Sequence, residues 1–291
     1  MKRIGLLAVF WLLATAFTVQ AQLDGVTAGL KLDQAQFLPG EDIPLRVQIL
    51  NRSGQEVSFG ADNNWITLSI WGENNASPAS LGDMPVKGEF SLLSGEMGTR
   101  TLNPAPYFDL TRPGRYHISA KIRLTQWGQE ISCKSIVFTV ANGVTLPNLA
   151  NLQFGVPPPA GVSNVAPEVR RYSLLKLSNL NELKLYFRLT DVSGRVLRVF
   201  SIGRMISFSD PEAQIDRYNN FHVLYQTGAK SFNYSVINPD GQLVLRRTYE
   251  YTDTRPVLRP GSEGEVYVWG GMRQPAGNDI PPVETVSARR P

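Results

Sequence analysis

The chain has 291 residues, with 29 Lys and Arg against 25 Asp and Glu, two His and a single Cys. A formal charge of +4, carried by basic residues scattered along the chain, leaves no electrostatic footprint for nucleic acid. Cys133 has no partner for an intramolecular disulfide, so apolar burial must hold the fold, and a buried, inert thiol is expected.

At the N-terminus Lys2 and Arg3 precede an apolar run from Ile4 to Val19, and Val19-Gln20-Ala21 supplies a cleavage sequence before Gln22. This three-part pattern predicts a signal peptide over 1–21 and a secreted, periplasmic or cell-envelope protein. Cleavage removes Lys2 and Arg3 and no acidic residue, lowering +4 to +2. No later apolar run is long enough for a helical membrane span, so none is expected in the mature chain.

From Leu38 the chain repeats one rhythm, a turn and then an alternating strand. Pro39-Gly40 leads into Ile43, Leu45, Val47 and Ile49 at every second position, ending at Asn51-Arg52-Ser53-Gly54. Ile66, Leu68 and Ile70 alternate with Trp65, Thr67, Ser69 and Trp71. Gly72–Asn103 is rich in Gly, Ser, Asn and Pro and predicts loops with a short strand near Glu89–Leu93. Arg112-Pro113-Gly114 then turns into Tyr116, Ile118, Ala120, Ile122 and Leu124, and Gln126–Gln129 reverses the chain into Ile131–Val140. Seven or so short strands in this half describe a β-sandwich over 22–141.

The Leu-Pro-Gly-Glu turn at 38–41 and the Phe-Asp-Leu-x-x-Pro-Gly-x-Tyr stretch at 108–116 resemble bacterial immunoglobulin-like domains, including macroglobulin-type and proteinase-inhibitor-like sandwiches. The resemblance covers about the first half of the mature chain. It implies that Tyr116 packs near a sheet corner. These motifs specify a fold and not a ligand.

Residues 142–167, with Pro147, Pro157, Pro158, Pro159 and Pro167, read as a Pro-rich linker. An antiparallel β-repeat domain is expected over 168–271, with Asp191–Gly194 and Asn238–Gly241 as hairpin turns. A shift of 47 residues places Gly194 on Gly241, Val196 on Leu243, Phe187 on Tyr234, Leu189 on Val236 and Leu174 on Phe221, with Val268 one further shift along. The period loosely resembles propeller blades, although the Trp-Asp, kelch and aspartate-box signatures are missing. A second sandwich or twisted sheet stack is the preferred reading. Residues 272–291 predict a flexible tail.

Catalytic signatures are sparse. His117 and His222 lie within strands, no Gly-x-Ser-x-Gly elbow occurs, and two distant His with one Cys do not make a zinc site. No catalytic residue, metal or cofactor is therefore assigned. Asp210, Glu212, Asp216, Glu250 and Asp253 keep a secreted carbohydrate-active hydrolase open, with Asp216 and Glu250 as its test pair. A proteinase-inhibitor-like sandwich acting through the 72–103 loop is a third reading.

Tryptophans are the candidate binding surface. Trp65 and Trp71 share a parity opposite the aliphatic face of their strand, and they stack a partner if that face is exposed or enter a core if the strand is buried on both sides. Trp127 sits in a tight turn and is expected to be exposed, and Trp269 precedes Gly270-Gly271 at a strand end. The expectation is an all-β, exported, non-enzymatic binding, adhesion or scaffold protein whose partner is an envelope protein or a glycan. Its oligomeric state is left open.

Overall fold

The computed structural model describes residues 25–158, 161, 166–179 and 182–280; the expected signal peptide and residues 281–291 of the expected tail lie outside these. The fold is all-β. Among the described residues there is no α-helix, only 3-10 turns at Thr125–Trp127 and Pro147–Leu149.

The first unit comprises β1 (Val26–Lys31), β2 (Gln36–Phe37), β3 (Leu45–Asn51), β4 (Val57–Phe59), β5 (Ile66–Gly72), β6 (Phe90–Leu92), β7 (Met97–Leu102), β8 (Gly114–Leu124), β9 (Gln129–Ser132) and β10 (Ile136–Val140). One sheet runs β1-β3-β7, a second runs β2-β10-β8-β5 with β9 also on β8, and β4 and β6 pair in a separate two-stranded sheet. Alternation decides which side chains meet: Leu45, Val47 and Ile49 of β3 share a core with Ile66 and Ile70 of β5 and Ile118 and Ile122 of β8. Asn51 ends β3 inside this core and is satisfied there, its amide donating to the Leu92 and Gln55 carbonyls at 2.8 and 2.7 Å. Tyr116 is buried, and its hydroxyl donates to the Arg112 carbonyl across the preceding turn at 2.8 Å. Cys133 is buried and free, and burial raises its thiol to about 11.

The second unit begins inside the expected linker. Val144–Thr145 forms β11 and Leu152–Val156 forms β12, both paired with β13 (Glu168–Ser178). Two to five residues are too few to show a strand rhythm between prolines, which is why composition alone reads them as linker. β14 (Leu183–Asp191) and β15 (Val196–Met205) complete this sheet. A second sheet follows in the order β16 (Glu212–Ile215), β17 (Phe221–Gln226), β18 (Ser231–Ile237), β19 (Leu243–Glu250) and, after the hairpin β20 (Val257–Pro260) and β21 (Val266–Trp269), β22 (Met272–Gln274). The first residues of the expected tail are thus tied to β19, and Ile280 bridges to Arg246.

The 47-residue repeat is structural in its hairpins. Gly194 and Gly241 both have positive φ, at 87° and 75°, and their amides donate to the Asp191 and Asn238 carbonyls at 3.1 and 2.9 Å. One bulge in each hairpin, at Leu189/Thr190 and at Val236/Ile237, is again 47 apart, while a further shift at Leu185/Tyr186 has no counterpart in β18–β19. The preceding strands do not keep that spacing. Phe187 pairs with Leu174 but Tyr234 pairs with Leu224, so the counterpart of Leu174 is Leu224 and not Phe221. The shorter reach of the β17–β18 hairpin accounts for the offset. Val268 lies in the two-stranded β20–β21 hairpin, which is not a third copy of the unit.

The layers stack face to back. Leu174, Leu185 and Phe187 meet Phe221, Val223 and Ile237 between the two sheets. The other side of the second sheet, with Leu224, Phe232 and Tyr234, is covered by Leu258, Val266 and Val268 of the β20–β21 hairpin. The other side of the first sheet, with Leu175, Leu177, Tyr186 and Val199, packs on Leu38 and Ala141 of the first unit. This explains β17, whose six residues are all buried: it has no wet face.

A polar chain crosses the seam between the units. The Glu41 carboxylate accepts hydrogen bonds from Gln34 Nε2 and the Leu38 amide, both at 2.8 Å. Lys184 of β14 donates to Gln34 Oε1 at 3.1 Å and pairs with Glu182, which also meets Arg204. Glu41 is only 6% exposed, and burial raises its carboxyl to about 7 despite the two hydrogen bonds and Lys184.

A candidate binding groove beside an open strand edge

β5 ends its sheet, pairing with β8 on one side only. The ladder orients its backbone. The Arg123 amide donates to the Trp65 carbonyl at 2.8 Å, so residues 65, 67, 69 and 71 direct their backbone polar groups at β8. Ile66, Leu68 and Ile70 therefore turn theirs to the open side.

The chain after β5 passes along this edge without closing on it. At one end the Val86 amide bonds the Asn63 carbonyl, and at the other the Gly72 amide bonds the Ala76 carbonyl, both at 2.8 Å. Between these points the loop is drawn towards the 104–110 segment: Leu81 N–H donates to the Tyr107 carbonyl and Asp109 N–H to that of Ala79, both at 2.9 Å, with a Ser80–Phe108 bridge between. Pro78 and Pro85 lack the donors needed to ladder with β5. A groove of about 790 Å³ remains, with Ile66, Thr67 and Leu68 on one wall and Ser80, Met84 and Phe108 on the other. Its size suits a bound ligand. Asp62 and Asp83 stand at its rim; Asp62 pairs with Arg123 at 2.7 Å, and Asp83 makes no ion pair among the described residues.

The four candidate tryptophans do not assemble into a platform. Trp65 is 1% exposed, packs with Phe59 and Phe90, and donates from its indole to the Val86 carbonyl at 3.0 Å. It sits at the bend one residue before β5 and turns into the core, which parity within the strand does not report. Trp71 is half-buried and stacks on its cross-strand neighbour His117, with centroids 5.5 Å apart. Trp127 is also half-buried, packed against the first core rather than exposed. Trp269, 52% exposed, stands on the outer face of β21 with Tyr267, 45% exposed.

The second-unit carboxylates are likewise dispersed. Asp216 lies by the end of the sheet where Ile215 pairs with Phe221, whereas Glu250 pairs with Ser231 at the other end. Six residues of β18 separate the two positions, about 20 Å at strand rise. Asp210 pairs with Lys176, and Glu212 accepts the Leu258 amide. Burial pushes the Asp216 carboxyl up, but hydrogen bonds from Asn220, His222 and the Tyr218 amide outweigh it and hold the group below its usual range. Because Asp216 is an acceptor, the His222 ring donates to it from Nε2 at 3.0 Å and accepts the Tyr234 hydroxyl at Nδ1 at 2.6 Å. Burial, only partly offset by Asp216, keeps His222 below its ordinary pKa and neutral. Tyr234 of this cluster packs under the β20–β21 layer, and Asp216 pins the 216–220 turn through the Tyr218 and Asn220 amides and the Asn220 side chain.

Sequence reasoning missed the groove because an edge is defined by which strands pair, and β5 meets β8 some 50 residues away. The local signal was the Pro-interrupted stretch after β5, which cannot supply a neighbouring strand.

No family model matches the chain, and no curated protein matches it. Among solved structures it is similar to Spo0M, the sporulation control protein of Bacillus subtilis, at 11% identity over 61% of this chain and 91% of that one, with a TM-score of 0.31.

Proposed function

We propose that this chain is an exported, non-enzymatic binding protein of the cell envelope or extracellular space that holds a protein partner in the groove beside β5. The leader pattern at 1–21 supports export. The observation that carries the reading is the groove itself, propped open along the unpaired edge of β5 by contacts that pull its far wall away. The hydrolase reading loses its test pair, since Asp216 and Glu250 stand at opposite ends of a sheet.

A photo-crosslinking residue at position 83, in mature protein exposed to envelope extract, tests this. A discrete adduct is expected, absent with the label at exposed Lys230 and lost when Thr67→Trp fills the groove. Equal labelling from positions 83 and 230 would count against it.

A second reading rests on Tyr267 and Trp269, whose exposed rings share one face of β21 and can stack sugar rings. Retention on a glycan array that Trp269→Ala abolishes would support it, and retention unchanged by that substitution would not.

A further inference from the structure

We infer that the occupant of this groove is an extended segment of a partner protein that adds to β5 as a further strand. This deepens the binding reading above and rests on it. Ile66, Leu68 and Ile70 each offer one N–H and one C=O to the open side, at the two-residue spacing an added strand requires. A helix, whose backbone donors and acceptors are bonded within itself, does not match that row.

The side chains around the row set the sequence of the guest. In an added strand the residue beside Leu68 faces the same way as Leu68, towards Met84 and Phe108, so it should be apolar. Its neighbours share the outer face with exposed Thr67 and Ser69 and should be small or β-branched polar residues. Asp83, without an ion pair among the described residues, and the half-exposed Asp62 favour a Lys or Arg at one end. The matching length is about five residues, the extent of Ile66–Ile70.

The test pans a random heptapeptide display library against immobilised mature protein, with Thr67→Trp as counter-selection and its melting curve as a folding control. Enriched peptides should carry a central apolar residue and a terminal basic one. A synthetic winner should lose roughly two- to five-fold in affinity against Asp83→Asn. N-methylation at alternate residues of that peptide, those whose N–H faces β5, should cost about tenfold each, while methylation at the intervening residues should cost little. Binding should also slow amide exchange at 66, 68 and 70.

Insensitivity to the methylation phase overturns strand addition, as does the absence of any groove-dependent peptide or the appearance of a β5-to-β5 dimer. A groove-dependent crosslinked protein whose contact segment is helical overturns strand addition alone and leaves the binding reading standing. Loss of both the crosslink and peptide binding removes both.

Discussion

Glu41 offers the sharpest test of how the two units are joined. Its carboxyl titrates at about 7 in the folded chain against an ordinary 4.5, because burial at the seam penalises the charge more than Gln34, the Leu38 amide and Lys184 favour it, with Asp42 adding to the penalty. The folded state therefore keeps a proton between pH 4.5 and 7 that the unfolded chain has released. Stability falls as pH rises through that window, and the loss is complete above 7. The gap corresponds to roughly 3 kcal/mol, with a limiting slope of about 1.4 kcal/mol per pH unit. Glu41→Gln cannot ionise. Whatever fixed cost its amide incurs beside Gln34, the difference in unfolding free energy between variant and wild type should shift in the variant's favour from pH 5 to pH 8. Urea unfolding at four pH values measures this difference directly. His222, held below its usual pKa, makes an opposite contribution, with stability lost as pH falls, but it is common to both proteins and cancels. Parallel pH profiles for wild type and variant would refute the assignment of a near-neutral carboxyl to this seam.

Three further outcomes follow from the packing. In the free protein, hydrogen exchange read by NMR should be fast at the amides of Ile66, Leu68 and Ile70 and slow at Thr67 and Ser69; the reverse pattern would place the open edge on the wrong side of β5. Tyr234→Phe leaves the buried Nδ1 of His222 without its donor and should cost about 1–3 kcal/mol in denaturant unfolding, and an unchanged midpoint would mean that the hydroxyl contributes nothing. Trp65→Ala empties a site walled by Phe59 and Phe90 and should cost about 3–5 kcal/mol, whereas a small effect would put the indole outside the core.

What could be read from the sequence depended on how many faces of a strand meet water. β3 and β8 each bury one parity and wet the other, and their alternation reports both position and facing. β17 buries Phe221 through Gln226 without interruption, so its sequence carries no facing information at all. Trp65 shows a second limit: it shares a parity with Trp71, but parity holds only inside a regular strand, and Trp65 lies at the bend one residue before β5. The candidate groove shows a third, since composition marks Gly72–Asn103 as irregular without saying that its middle is tethered to 104–110 and held off β5.

The hairpin repeat also explains why the second unit needs both of its neighbours. Phe187 and Tyr234 are counterparts 47 residues apart, yet Phe187 points into the core between the sheets and Tyr234 points out of it, towards β20–β21. Two equivalent sheets facing each other across a two-fold axis would present equivalent residues to the shared core. These do not, so they are stacked in the same sense, the front of one on the back of the next. Such a stack has no natural end, because the last sheet always offers the face that the first one buried. Here the first unit covers one end with Leu38 and Ala141, and the β20–β21 hairpin covers the other with Leu258 and Val268. The hairpin then becomes the outermost layer, and its own outer face carries Tyr267 and Trp269 into solvent. The seam at Glu41 and the aromatic face at Trp269 are thus the two terminal caps of one stack, and the β5 groove lies outside it, at the edge of the first unit's sheet opposite β2.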